Sequence, residues 1–225
     1  VTQMVRPAKS IVLVPFQSNP VLAQMFGRAI DRGSVAQENP ATALAAMFEA
    51  LARADGVWRE RSFAAGAGVF EPQSHRPPVC VLTDGLVKLT YPVANGEEWT
   101  KSYIAGRGVF GPSAPGEAVV AYGARALERS TVGLVDAPSV KRMLDANTAL
   151  ATALARFQAW LFERKRQREE DLLCLAAEDR YLAFSARDPA LAARLELQEV
   201  AAYLRITPVA LSRIRKRLRE QGRLP

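Results

Sequence analysis

Apolar positions along the chain fall into three regimes. Pro20 to Ile30 and Thr42 to Arg53 carry apolar residues at helical spacing, and Asn39–Pro40 marks a break between these two predicted helices. From Val57 to Asp136 the pattern shortens to apolar or alternating runs cut by Gly and Pro. VWRERSF, GVF, VCVLTD, GLVKLTYPV, EEWTKSYI, a second GVF, RALERS and TVGLVD all read as strands. Asp84–Gly85 and Asn95–Gly96 are tight-turn signals, and the second predicts a two-residue hairpin turn. So many short strands at close spacing predict a compact antiparallel barrel or jelly roll.

The third regime is helical. From Pro138 to Cys174 no Gly or further Pro intervenes, and Leu150, Leu154, Phe157 and Leu161 alternate steps of four and three, the seam of a coiled coil. The charged stretch 163–171, ERKRQREED, interrupts that seam before Leu172 and Leu175 resume it. A helix of this kind beside a small barrel is either a partner helix or an intrachain spine. The seam favours a symmetric homodimer, because it gives each copy an identical surface to bury. A shorter helix over Glu178 to Ala186 ends near Asp188–Pro189.

Residues 197–225, LQEVAAYLRITPVALSRIRKRLREQGRLP, then read as a short amphipathic helix, a tight break and a longer basic helix: a helix-turn-helix. Leu197, Val200, Ala201 and Leu204 form one apolar stripe, and Leu211, Ile214 and Leu218 the other. Thr207 followed by Pro208 is a helix start, since the threonine oxygen can accept from an unpaired amide and proline at the first position loses nothing by lacking its N–H. Gly222 sits where a C-terminal cap is expected. With the stripes turned inward, Val209, Ser212, Arg213, Lys216 and Arg217 must face outward.

Charge sharpens this reading. Arg205 to Pro225 hold seven Lys/Arg against Glu220 alone, a net +6 of the chain's +7. A basic end on a nearly neutral body is the electrostatic footprint of a polyanion-binding module. The hydrophobic fraction of 49% suits an ordinary globular protein, and no apolar run approaches the ~18 residues that span a bilayer. The apolar stretch Ile11 to Phe16 is too short for a signal-peptide core, so a cytoplasmic protein without membrane contact is expected. Cys80 and Cys174 cannot supply an iron–sulfur cluster within one chain and are read as two buried structural thiols. The single histidine, His75, lies in a loop and cannot build a metal centre; no metal, no cofactor and no enzymatic activity are expected.

The order of a small β-roll, a long helix and a C-terminal helix-turn-helix resembles the bacterial family of the cyclic-AMP receptor protein and the fumarate–nitrate regulator, the Crp/Fnr type. The resemblance covers about residues 48 to 222. It is carried mainly by QEVAAYLRITPVALSRIRKRL (198–218) and VCVLTDGLVKLTYPVANGEEWTKSYIAGRGVFG (79–111). It implies an α+β fold: an N-terminal extension with helices (1–50), a jelly-roll-like β-roll of the cyclic-nucleotide-binding type as sensor (51–137), a dimerisation helix (138–175) and a DNA-binding helix-turn-helix (176–225). Only Arg223, Leu224 and Pro225 follow Gly222, so a reduced or absent wing is expected.

Departures from the family pattern bear on mechanism. Where nucleotide-binding members carry a glutamate after Phe-Gly, this chain has Pro112 after Phe110–Gly111, and Val120–Ala121 stand where an Arg-Ser pair is expected. A buried phosphate would lack its charge partner there, which is expensive. Any effector pocket would be built from Phe110, Gly111, Pro112, Ser113, Glu117 and Arg125. In the recognition helix Val209 replaces a reading glutamate and suits a thymine methyl, while the family's Ser-Arg pair is kept as Ser212–Arg213. The resemblance implies base reading by Val209, Ser212 and Arg213, with Thr207, Arg215, Lys216 and Arg217 on phosphates. Arg205 takes the turn position where the family prefers glycine, so the turn must either change or carry about 1 kcal/mol of strain.

The expected function is a dimeric, sequence-specific transcription regulator of double-stranded DNA, not controlled by cyclic AMP. RNA polymerase is an implied further partner, and a small-molecule effector is unidentified or absent. The alternative is a cyclic-nucleotide or other small-molecule sensor or interaction module whose basic C-terminus binds DNA without sequence preference.

Overall fold

Asn39 and Pro40 open the first described helix as their sequence dictates. The Asn39 side chain accepts from the Ala41 N–H at 2.9 Å, and Pro40 takes the first helical position of α1 (Pro40–Ala54). The computed structural model describes residues 39–94, 96–112 and 119–223. The predicted helix over Pro20 to Ile30, and the effector-pocket residues Ser113 and Glu117, lie outside the described residues.

Eight strands follow: β1 (Arg59–Phe63), β2 (Gly68–Phe70), β3 (Val79–Asp84), β4 (Leu86–Pro92), β5 (Glu98–Ala105), β6 (Gly108–Phe110), β7 (Gly123–Ala126) and β8 (Ser130–Val135). They form two four-stranded antiparallel sheets, ordered β1-β8-β3-β6 and β2-β7-β4-β5. Phe63, Leu82, Val87, Leu89, Phe110 and Val132 fill the space between them. The apolar run VCVL in β3 does not alternate because both of its faces are covered. Cys80 and Leu82 face the roll interior, while Val81 packs on α1 and the helices that follow the roll. β4 obeys the same logic: Val87 and Leu89 point inward, and Leu86 and Lys88 face the C-terminal helices.

Asp84–Gly85 is a break between strands as expected, and it forms the corner between the two sheets. Gly85 has φ +110°, and a Cβ there would lie 2.7 Å from the Ser130 Cα. Two strand-level expectations are corrected. The β4–β5 hairpin closes through the Val93 N–H to the Glu97 carbonyl at 3.0 Å, leaving a three-residue loop, 94–96, instead of a two-residue turn. Gly96 at φ +82° supplies the left-handed residue such a loop needs, and Asn95 lies outside the described residues. RALERS splits between the end of β7 and the start of β8, with a turn at 127–129.

The helical stretch from Pro138 to Cys174 is two helices, α2 (Ala137–Ala146) and α3 (Thr148–Cys174). Asn147 separates them: it is extended, and its side chain accepts from the Leu150 N–H at 2.9 Å, so the break is an N-cap with no glycine or proline to announce it. Leu150 is 0% exposed, in one core with Leu44, Phe48, Val140 and Met143, and Leu154 and Phe157 pack against that core. Leu150 of the expected dimer seam is therefore covered from within the chain by α1, with Leu154 and Phe157 packed beside it.

The chain continues with α4 (Ala177–Arg187), α5 (Pro189–Arg194), α6 (Leu197–Leu204) and α7 (Pro208–Glu220). α4 ends at Asp188–Pro189 as expected, and Pro189 then starts α5 at its first position. Tyr181, Phe184, Val200, Leu204, Leu211 and Leu218 form a core that also takes in Leu86 and Tyr103 of the roll. No helix among the described residues is long and apolar enough to cross a membrane.

Candidate nucleic-acid interface

The interface is built on α6, its turn and α7. Val200, Ala201 and Leu204 on α6 meet Leu211, Ile214 and Leu218 on α7, all buried, as the two stripes require. Thr207 caps α7 by accepting from the Ala210 N–H at 3.1 Å. Its other end is closed by Gly222 at φ +66°, with the Arg223 N–H reaching the Leu218 carbonyl at 2.9 Å. α7 is thus pinned at both ends with its apolar face inward.

What remains outward is the predicted reading set. Val209 is 61% exposed, and Ser212, Arg213 and Lys216 are exposed beside it. From Val209 to Lys216 the helix rises about 10 Å, roughly three base-pair steps. Ser212 and Arg213 make no side-chain hydrogen bond or ion pair among the described residues. A large apolar side chain is thus held exposed on a basic surface.

The expected phosphate contacts are placed less uniformly. Lys216 is 3.9 Å from Glu220. Arg215 is half-buried with its Nε unpartnered. Arg217 turns back to the Glu178 carboxylate of α4, which also accepts from Arg223 at 2.6 Å. These two guanidiniums, Arg217 foremost, hold the Glu178 carboxyl below the usual carboxylate range. Arg217 is therefore tied within the chain, as a brace between α4 and α7.

Arg205 adopts the left-handed conformation in the turn (φ 57°, ψ 45°), and the Ile206 N–H reaches back to the Ala201 carbonyl at 3.0 Å. The turn keeps its geometry and carries the strain. The Arg205 guanidinium lies 3.6 Å from the ring centroid of Trp99 on β5, which sequence reasoning missed. Cation–π stacking returns about 0.5–1 kcal/mol against about 1 kcal/mol of left-handed strain, so the two nearly cancel. Arg205→Gly, which loses both terms, is expected to stay within about 0.5 kcal/mol of the parent, while Arg205→Ala keeps the strain and loses about 0.5–1 kcal/mol. Urea denaturation of the full chain measures both. A neutral Arg205→Ala means that the stacking contributes nothing.

A second missed feature fastens this module to the roll. On β4 and β5, Lys88 and Tyr103 are register partners whose outer faces meet Glu199 of α6. Lys88 pairs with the Glu199 carboxylate at 2.7 Å, and the Tyr103 hydroxyl donates to it at 2.6 Å. Burial, then the Glu199 carboxylate, push the Tyr103 phenol above its ordinary range. Lys88 and Glu199 show as polar alternation in their own segments, but nothing local pairs them.

Of the predicted effector residues, Phe110, Gly111 and Pro112 line a cavity of about 580 Å³ beside α3, together with Leu161. Arg125 does not: its guanidinium donates to the Gly66 carbonyl at 2.9 Å, away from the cavity. Val120, at the position expected for the phosphate-binding arginine, is buried in the roll core. Tyr122 beside it donates to the Gly111 carbonyl at 2.5 Å and accepts from the Gly111 N–H at 3.1 Å. Cys80 is buried, and burial pushes its thiol well up; Cys174 is exposed at the end of α3, which corrects the expectation of two buried thiols. No group of three or more His, Cys, Asp or Glu placed to hold a metal occurs among the described residues.

No family model and no curated protein matches the sequence. Solved structures do match. FixK2 from Bradyrhizobium japonicum is similar at 20% identity and a TM-score of 0.66, over 74% of this chain and 86% of that one. A CooA mutant from Carboxydothermus hydrogenoformans is similar at 16% identity and 0.65, over 74% and 78%. A transcriptional regulator of the CRP family from Thermus thermophilus is similar at 17% identity and 0.60, over 72% and 85%. With its two-sheet roll, its long helix and its C-terminal helix-turn-helix in that order, the chain has the fold of the Crp/Fnr-type regulators.

Proposed function

We propose that this chain is a sequence-specific DNA-binding transcription regulator that acts as a homodimer in the cytoplasm, with no catalytic step of its own. The observation that carries the reading is α7, locked at both ends and by its apolar face, with Val209, Ser212 and Arg213 exposed on the side turned away from the protein. Two such helices read half-sites about one helical turn apart. Arg213 makes the bidentate guanine contact, and Thr207, Arg215 and Lys216 hold phosphates. Arg217 joins them only by exchanging Glu178 for DNA. RNA polymerase is the further partner such a regulator requires.

Support for the dimer lies one residue along from the filled seam. Ala151, Ala155 and Phe162 follow Leu150, Leu154 and Leu161 by one position, about 100° around the helix, and are exposed, Phe162 at 72%. Leu173 extends the same face and is 78% exposed. This face of α3 is the surface we assign to the second copy. Control by something other than cyclic AMP is supported by the buried Val120, by Tyr122 engaging the Gly111 amide and carbonyl, and by Arg125 turned to Gly66.

Selection of bound genomic fragments, followed by Arg213→Ala, tests the reading. The substitution is expected to cost about 1–3 kcal/mol of affinity at a single base-pair position, read with single-base variants of the selected site. Uniform weakening over all sequences with a steep salt dependence would instead mean sequence-independent binding by a basic end.

A further inference from the structure

One carboxylate outside α7 governs two of the cations at its C-terminal end. Glu178 lies in the first turn of α4, and its side chain is 19% exposed. Its Oε2 accepts from Arg217 Nε at 2.9 Å and also takes the Arg217 Nη2 donor, while Oε1 accepts from Arg223 Nη1 at 2.6 Å. Both oxygens are thus filled by guanidiniums, as the oxygens of a bound phosphate would be. The cap at Gly222 makes this possible. Its positive φ and the bond from the Arg223 N–H to the Leu218 carbonyl turn Arg223 back along α7.

Arg217 belongs by position to the reading side of α7. It follows Arg213 by four residues, about 40° around the helix and about 6 Å along it. Arg213 and Arg219 have no carboxylate partner among the described residues, so the outside acid singles out Arg217 and Arg223. The helix dipole favours an acid in the first turn of α4, but it does not account for the reach of Glu178 to α7. Asp179, the other acid of that turn, is exposed and pairs with no cation among the described residues.

We propose that Glu178 is a positioning residue that stands in for a backbone phosphate: it withholds Arg217 and Arg223 from DNA and so restrains binding that is independent of sequence. A DNA phosphate recruits either arginine only by displacing the carboxylate, because both anions use the same donors. Non-specific sites vastly outnumber an operator, so a weaker hold on them leaves more of the protein free to find it. This role rests on the proposal that α7 meets DNA, but not on which bases it reads.

Fluorescence anisotropy of a labelled random-sequence duplex, titrated with the full chain across roughly 50–200 mM salt, tests it. Glu178→Gln keeps an acceptor for the brace but loses its charge. It is expected to bind about two- to fivefold more tightly at the low-salt end, the worth of an exposed ion pair. Its plot of log affinity against log salt should be steeper by about 1–2, about one for each phosphate that Arg217 or Arg223 gains. A brace alone would not move that slope. In a background of Arg217→Gln with Arg223→Gln, adding Glu178→Gln should change neither quantity. Circular dichroism confirms that each variant is folded. Unchanged or weaker binding by Glu178→Gln, an unchanged slope, or an equal gain without the two arginines would each overturn the proposal. Duplex binding with no sequence preferred in the genomic selection would defeat base reading by Arg213 and leave the role of Glu178 standing. No duplex binding by parent or variant would remove both.

Discussion

Leu150→Ala is expected to lower the stability of the fold by about 2–5 kcal/mol, the range for emptying a fully packed leucine site. Leu150 is completely enclosed by α1, α2 and its own helix, so the lost volume cannot collapse without moving α1. The same substitution should leave the oligomeric mass unchanged, because the residue is buried within its own chain. Phe162→Glu should do the reverse: it should convert the proposed dimer to a monomer in sedimentation while helix content stays constant. Chemical denaturation and sedimentation of the two variants separate the roles of the two α3 faces. A Leu150→Ala protein that dissociates without loss of fold would return the predicted seam to the dimer interface.

Glu199→Ala is expected to cost about 2–3 kcal/mol, between the penalty for one unsatisfied buried donor and that for a broken, fully buried ion pair. Removing the carboxylate strands Lys88 and leaves the Tyr103 hydroxyl only the residue-199 backbone carbonyl, at 3.0 Å, on the sheet face where the helix-turn-helix docks. The loss should appear as earlier urea unfolding and as faster amide exchange in α6 and α7 than in the roll. Glu199→Gln, which can still accept from Tyr103, should recover part of it. Uniform exchange across both regions would show that the pair is not what holds the module to the roll.

Much of the architecture was legible in order of residues. The eight strands stand close to where the apolar runs placed them, because period-two patterning and Gly or Pro breaks are local signals. The helix-turn-helix was equally readable, since Thr207–Pro208, Gly222 and the two apolar stripes state their roles within a few residues of one another. Asn147 was also readable in principle. An asparagine inside a helical run is a cap signal, and it breaks the helix with no glycine or proline beside it.

Sequence alone determined most of the strands, the two helices of the helix-turn-helix with their apolar faces, and that positive charge collects on α7. Tertiary structure decided which partner each face meets. The Leu150–Leu161 stripe is equally suited to a second copy or to a neighbour in the same chain, and only the tertiary structure brings α1 against Leu150, Leu154 and Phe157. Lys88, Tyr103 and Glu199 are ordinary in their own segments, as are Glu178 and Arg217, and gain meaning only when β5 is brought against α6 and α4 against α7. The physical reason is that periodicity and capping are short-range properties of the backbone. The pairing of charges and the closing of a cavity depend on distances that no local pattern records.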